Sequence, residues 1–134
     1  MTGVTSRPLP APQPNVETQP FWDAAAEGRL TIKRCGSCSE PHYPPRGRCP
    51  FCFSDDTAWE DSQGTGAIYS LSTMRRGPAA PYVLAYVTLD EGPSVMTNIV
   101  ECDPDTLAIG DRVEVIFTPT EGGPPVPFFK PAAR

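Results

Sequence analysis

Two pairs of closely spaced cysteines constrain the fold of this chain more than any other feature. Each pair has the pattern C-x-x-C, and ten residues separate the pairs. The pairs are Cys35 with Cys38 and Cys49 with Cys52. Each C-x-x-C turn can direct two sulfurs to one point, so two turns provide four ligands in a closed tetrahedron. Gly36 and Pro50 lie inside the turns, where the backbone must fold toward the sulfurs. The spacing predicts a tetrathiolate metal site.

The ion at this site is predicted to be zinc, because no other redox feature accompanies the cysteines. Iron in a rubredoxin-like site uses the same four thiolates, and the ligands alone do not exclude it. Two disulfides would need an oxidising compartment. Residues 1–11 have no apolar core of about 7–15 residues, so we expect no export signal and a cytoplasmic protein. No hydrophobic run approaches about 18 residues, so we expect no membrane span.

The first 29 residues divide into two segments. Prolines recur through residues 1–17, which predicts a flexible arm. Residues 18–29 begin with a threonine and an early proline and reach a glycine near their end, which predicts a short helix. Phe21 and Trp22 are adjacent on a piece too small to bury both. We therefore predict that they dock onto another surface, either the second lobe or, as exposed residues, a partner subunit, with packing inside the chain as the alternative.

Residues 30–58 contain the four cysteines and are predicted to form a zinc ribbon. So short a segment cannot bury a core of its own, so metal binding must stabilise it, by on the order of 10 kcal/mol or more. His42 is the one histidine of the chain. Four thiolates complete a tetrahedral site, so His42 is predicted to be an exposed loop residue and neither a metal ligand nor a catalytic base.

The remaining segment, residues 59–134, is predicted to form a five-stranded barrel of the OB type. Five stretches have strand character, and turn residues separate them. They cover residues 66–74, 82–89, 95–100, 113–118 and 126–129. An SH3-like barrel or a small sandwich would also accommodate five short strands. The chain carries 18 prolines and 11 glycines, which favours many turns and a mainly β fold.

The charge of the chain is unevenly distributed around a net value of −5. Five cations surround the cysteines, and an excess of acidic residues covers residues 90–121. The cations are Arg29, Lys33, Arg34, Arg46 and Arg48. This pattern is either an ordinary solvated surface or a positive face for an anionic ligand or an acidic partner.

Several sequence stretches taken together resemble one family. They are F-W-D-A-A-A-E-G-R-L, K-R-C-G-S-C, P-P-R-G-R-C-P-F-C, G-T-G-A-I-Y-S, A-Y-V-T-L-D-E-G, L-A-I-G-D-R-V-E-V-I-F and F-F-K-P. With these stretches, the chain after about residue 18 is similar to the acyl-CoA-associated zinc-ribbon and OB-fold proteins, long catalogued as domain of unknown function 35. The resemblance implies a helix, a rubredoxin-like ribbon and a C-terminal OB barrel.

The same resemblance implies a function. Members are partners of thiolase-fold or hot-dog-fold enzymes that act on CoA thioesters, so we expect a non-catalytic subunit of a hetero-oligomeric thiolase, aldolase or hydratase. The larger subunit would supply the catalytic residues, and the small protein would assist assembly and acyl-CoA binding. On its own this chain is expected to show no turnover.

The residues agree with a subunit that has no catalytic group of its own. Cys102 is the only cysteine outside the two pairs, and it lies between Glu101 and Asp103, whose charges disfavour a thiolate. No acid–base or nucleophile constellation is apparent.

Coenzyme A carries several phosphate charges, so its site needs arginine or lysine near an apolar slot. Arg75 and Arg76, in the loop after the first barrel strand, and Lys130, after a phenylalanine pair, are the predicted CoA-binding residues. Plain solvated charges are the alternative for all three residues.

Two other functions fit parts of the sequence. A single-stranded nucleic-acid binder would stack bases on aromatic side chains in a basic groove. The candidates for stacking are Tyr69, Tyr82, Tyr86 and Phe117. The acidic excess after residue 90 disfavours such a groove, so we expect no nucleic-acid partner. Electron transfer through an iron tetrathiolate rests on the cysteines alone.

Overall fold

The chain folds mainly into strands, as its turn-rich composition predicts. A computed structural model describes residues 9–77 and 81–132. In these residues it has one α-helix, α1 (Gln19–Ala26), and eight strands. The strands are β1 (Thr31–Cys35), β2 (Pro41–His42), β3 (Thr57–Asp61), β4 (Thr65–Met74), β5 (Tyr82–Leu89), β6 (Ser94–Ile99), β7 (Arg112–Thr118) and β8 (Val126–Pro131). No helix in the described part of the chain has the length and apolar character needed to cross a membrane.

The last five strands close into a barrel in the order β4-β5-β6-β8-β7, which confirms the predicted OB-like barrel. β5 shows why it closes, because Val83, Ala85, Val87 and Leu89 alternate toward the interior and are buried. β4 pairs with both β5 and β7, and a bulge between Ile68 and Ser70 bends it. The barrel is completed by a parallel contact between β6 and β8.

The cysteine-containing segment forms a three-stranded sheet in the order β2-β1-β3. β3 pairs with β1 from Cys35↔Thr57 to Thr31↔Asp61, so the ribbon sheet extends past the predicted boundary at residue 58. Two contacts explain the extension. The Lys33 ammonium lies 4.8 Å from the ring centroid of Trp59, and Arg34 is paired with Glu60 at 2.8 Å.

The ribbon and the barrel share one hydrophobic core. Phe21, Leu30 and Ile32 belong to the same buried cluster as Ile68 and the inward residues of β5. Phe21 is 4% exposed, so the prediction of an exposed Phe21 is wrong. Its ring lies 5.9 Å from that of Tyr43, and the partly buried Trp22 packs against the cluster. The short helix buries its aromatic residue because barrel and ribbon together provide the core that neither the helix nor the ribbon has alone.

The described part of the predicted arm, residues 9–17, lies along both lobes. Leu9 is buried, and its carbonyl accepts a hydrogen bond of 2.9 Å from the Glu121 N–H of the barrel. The Glu17 carboxylate accepts a hydrogen bond of 2.6 Å from the Gly47 N–H of the ribbon. Residues 1–8 of the predicted arm lie outside the described residues.

Candidate metal centre and ligand-binding residues

The four paired cysteines converge on one point. Their sulfurs all lie within 4.8 Å of one another, and the Cys35–Cys52 and Cys38–Cys49 sulfur pairs are each 3.6 Å apart. A tetrahedral zinc ion with bonds of about 2.3 Å needs sulfurs about 3.8 Å apart. A disulfide needs about 2.05 Å, and all four cysteines are free. The cluster therefore has the spacing of a tetrathiolate site.

The two C-x-x-C turns repeat one local structure. The Cys35 carbonyl accepts a hydrogen bond from the Ser39 N–H and the Cys49 carbonyl accepts one from the Phe53 N–H, each at 2.9 Å. Ser39 and Phe53 both adopt the left-handed region, with φ of 67° and 64°. The Gly36 N–H also donates to the Asp56 carbonyl, and a Cβ at Gly36 would collide with the Asp56 carboxylate. The hydrogen bond to Asp56 ties the first turn to the residue just before β3.

Backbone N–H groups donate hydrogen bonds to the sulfurs of Cys35 and Cys49. The N–H groups of Ser37 and Cys38 lie 3.3 and 3.4 Å from the Cys35 sulfur, and the Phe51 N–H lies 3.4 Å from the Cys49 sulfur. The hydrogen bond from Cys38, supported by that from Ser37, lowers the pKa of the Cys35 thiol to about 6. Because the thiolate is the form that binds metals, these amides favour the ligand state of Cys35.

His42 is 3% exposed, so the prediction of an exposed loop residue is wrong. It lies in β2 opposite Lys33 of β1, and this pairing carries the imidazole into the interior. Its Nε2 accepts a hydrogen bond of 3.4 Å from the Arg46 N–H, and burial lowers its pKa. The metal-ligating group found among the described residues consists of the four cysteines and does not include His42. A two-residue strand has no periodicity from which this burial could be predicted.

Most cations around the cysteines pair with other side chains of the chain itself. Arg29 pairs with Glu27 and Asp61 at 2.8 and 2.7 Å, and Arg34 pairs with Glu60. Lys33 is buried against Trp59. The ribbon is therefore less positive at its surface than its sequence indicates, because β3 brings acidic residues beside β1.

A groove of about 650 Å³ lies beside the second cysteine turn. Arg46, Arg48 and Phe53 line it together with two acidic side chains, Glu17 and Asp55. The Arg48 guanidinium donates a hydrogen bond of 3.0 Å to the Phe53 carbonyl. The lining thus mixes both signs of charge.

The three predicted CoA-binding residues do not form one cluster. Lys130 lies opposite Glu114, which pairs with Thr65 at the start of β4, whereas Arg75 and Arg76 follow the end of β4. The ten-residue strand separates the two places by roughly 30 Å along its length. Arg75 pairs with Asp105 at 2.7 Å, and Lys130 lies 3.8 Å from Glu114. The sequence did not reveal this separation because strand register decides it.

Cys102 is buried, and its thiol lies 3.8 Å from the Ile99 carbonyl. Burial, followed by the charge of Asp103, raises the pKa of this thiol. A buried thiol with a raised pKa is a poor nucleophile, as the sequence predicts.

The sequence analysis missed an apolar surface on the outside of the barrel. Leu84 and Tyr86 of β5 and Met96 of β6 are exposed, although their neighbours in both strands are buried. The sequence signal for this surface is that β5 has apolar residues at outward as well as inward positions. Tyr69 and Tyr86, two of the predicted stacking candidates, are exposed, whereas Phe117 packs against the core.

Two sequence-family models match the chain, and they meet between residues 58 and 59. Residues 22–58 match the ChsH2 rubredoxin-like zinc ribbon domain, and residues 59–118 match the ChsH2 C-terminal OB-fold domain. The two predicted parts of the fold, the zinc ribbon and the OB barrel, therefore match the two domains of ChsH2.

Individual proteins give the same picture. A "DUF35 domain-containing scaffold protein" of Methanothermobacter thermautotrophicus is 39% identical over 94 residues, which cover 66% of this chain and 71% of the relative. A "Probable enoyl-CoA hydratase alpha subunit" of Thermomonospora curvata is 35% identical over 127 residues, 92% of this chain. That match spans only 40% of the relative's length.

A solved structure also matches. It is described as the "Ltp2-ChsH2(DUF35) aldolase", and the matching chain is 34% identical to this one with a TM-score of 0.81. The match covers 91% of this chain and 99% of the solved chain.

Proposed function

Because the chain belongs to the ChsH2-type DUF35 family of zinc-ribbon and OB-fold proteins, we propose that it is a non-catalytic subunit of a hetero-oligomeric enzyme acting on acyl-CoA thioesters. The observation that carries this proposal is the match to nearly the whole of one chain of the Ltp2-ChsH2(DUF35) aldolase. The inert setting of Cys102 supports a division of labour in which the partner supplies the nucleophile. We propose a thiolase-fold or hot-dog-fold partner and carbon–carbon bond cleavage or formation.

The proposal includes a structural zinc ion in the cysteine cluster. The sulfur spacing and the amides directed at Cys35 and Cys49 fit such an ion. When bound, zinc would supply charge neutralisation and cross-linking, not an open catalytic position, because four protein ligands fill its coordination sphere. Its function would be to hold the ribbon rigid while the shared core fixes the ribbon against the barrel.

The test of the proposed function uses the chain together with a CoA-thioester catalytic subunit encoded beside it. We expect the two proteins to co-purify at fixed stoichiometry. The chain alone should give no turnover of an acyl-CoA, and the complex should turn it over. A chain that stays monomeric in the presence of every such subunit would contradict the proposal.

We further propose that Arg75 and Arg76 contact the phosphates of the CoA thioester in the complex. Both arginines are exposed at the open end of β4, where OB barrels commonly bind ligands, and the Arg75–Asp105 pair is solvent-exposed and easily exchanged. The double variant Arg75→Ala/Arg76→Ala should weaken CoA binding to the complex about tenfold, as measured by calorimetry. Lys130, the third predicted CoA-binding residue, lies near the start of β4 and is not part of this proposed site, so Lys130→Ala should leave the affinity unchanged. Equal affinity of the double variant and the wild type would remove both arginines from the site.

A further inference from the structure

The outer surface of strands β4, β5 and β6 has the composition of a protein interface. We define this surface, the neutral face, by its exposed apolar residues Tyr69, Met74, Leu84, Tyr86 and Met96. The other outward positions of the paired segments hold serine, threonine and tyrosine hydroxyls, Ala67 and the amide of Asn98, which is itself buried, and no charged residue lies among them. Interface centres are depleted of charge and enriched in tyrosine and methionine relative to the rest of a protein surface.

The centre of the neutral face is the directly opposed pair Tyr86 and Met96. Their side chains are 46% and 60% exposed, and Ser70 flanks Tyr86 on the other side. These apolar groups project from adjacent strands of a rigid barrel whose inward residues are almost fully buried. No further packing within the described chain covers them, so the face is available to another molecule.

We propose that the neutral face is the surface on which the larger catalytic subunit docks, an inference that rests on the proposed function. Charge favours a different protein over a second copy, because two copies of a chain with net charge −5 repel. Two convex barrel surfaces would also touch over a small area, whereas a larger subunit can present a concave surface. Nucleic acid is disfavoured because no cation lies on the face to neutralise phosphate.

The rim of the face indicates what the partner carries. Arg75 and Arg76 follow Met74 at one end of the face, and the Arg76 side chain has no ion pair among the described residues. The docking surface of the catalytic subunit should thus be uncharged and apolar at its centre, and docking there would place the CoA phosphates that these arginines are proposed to contact at the edge of the interface.

The experiment measures binding of the full-length chain to the catalytic subunit encoded beside it, by calorimetry, for wild type and two variants. Met96→Lys adds a charge at the centre of the face and should weaken binding at least about tenfold. Val16→Lys adds the same charge at an apolar residue that is 95% exposed and lies in the segment before α1, outside the strands of the face, and it should bind like wild type. Thermal unfolding of both variants checks that the barrel is intact.

The outcomes separate the two proposals. If the wild type does not bind the catalytic subunit, the proposed function fails. If the wild type binds and Met96→Lys binds equally well, the proposed function stands and the docking inference is overturned. A wild-type homodimer in light scattering that only Met96→Lys disrupts would assign the face to a second copy of the chain. Salt-dependent binding of an oligonucleotide that is lost in Met96→Lys would assign the face to nucleic acid. Either result overturns the inference.

Discussion

Asp90 and Arg112 join the two strands that flank β4. Arg112 donates two hydrogen bonds, of 2.9 and 2.8 Å, to the two carboxylate oxygens of Asp90. Asp90 follows β5, and Arg112 begins β7. Both strands pair with β4 at Gly66 and Ala67, so the ion pair crosses this strand near its start. Thr65 of β4 donates a third hydrogen bond to Asp90 and ties all three strands together.

We expect this ion pair to make stability depend on acidic pH. The hydrogen bonds from Arg112 and then Thr65 lower the pKa of Asp90 from 3.8 to about 2. A carboxylate with a lowered pKa in the folded state stabilises the fold above the unfolded-state pKa, and this contribution is lost as pH falls from about 4 to 2. Asp90→Asn should flatten that part of the curve of unfolding free energy against pH, measured by urea titration. Asp55→Asn, in the ribbon, is the control, and identical slopes for Asp90→Asn and wild type would contradict the expectation.

Removal of the metal should unfold the ribbon before the barrel. Structural zinc in small domains contributes about 10–16 kcal/mol of apparent binding free energy, and the ribbon has little core of its own. Cys38→Ser should abolish the expected one zinc per chain, measured by elemental analysis, and should lower the thermal midpoint. Cys102→Ser leaves the cluster intact and is the matched control. A red protein that contains iron would show that the ion was assigned wrongly.

Gly66→Ala should destabilise the barrel by about 1–3 kcal/mol. A Cβ at Gly66 would collide with the backbone carbonyl of Thr88 on the adjacent strand, and backbone cannot move aside as a flexible side chain can. Chemical denaturation measures the loss. Ser72→Ala, exposed on the same strand, should be nearly neutral. Wild-type stability of Gly66→Ala would mean that β4 and β5 can separate locally without cost.

Phe21→Ala should cost about 3–5 kcal/mol, since it removes a buried aromatic ring from the cluster that ribbon and barrel share. The variant should loosen the ribbon against the barrel, which hydrogen exchange of β1 amides would reveal. Val16→Ala, at a residue that is 95% exposed, serves as the control. Stability equal to wild type would return Phe21 to the list of docking residues.

Local patterns predicted the elements of this fold well. Alternation in β5 and the turn residues around it placed this strand at residues 82–89, as in the structure, because hydrophobic period and turn chemistry act over a few residues. The C-x-x-C spacing likewise gave all four converging cysteines. These signals need no knowledge of how distant segments pair.

Features that depend on pairing between distant segments could not be predicted from the sequence. Burial of Phe21 and His42 requires the ribbon to lie against the barrel or β2 to pair with β1. The separation of Lys130 from Arg75 follows from the register of β4 and β7. The neutral face was missed because outward apolar residues in a strand look like core residues until the barrel shows which side is interior.

The attachment of residues 9–17 to both lobes has a practical consequence. Leu9 is tied to Glu121 and Glu17 to Gly47, so this segment acts as a brace across the joint between ribbon and barrel. A protease cut within it would leave every strand intact yet free the two lobes to shift. Purification tags on this side of the protein should therefore be joined ahead of Leu9, so that the brace itself is not interrupted.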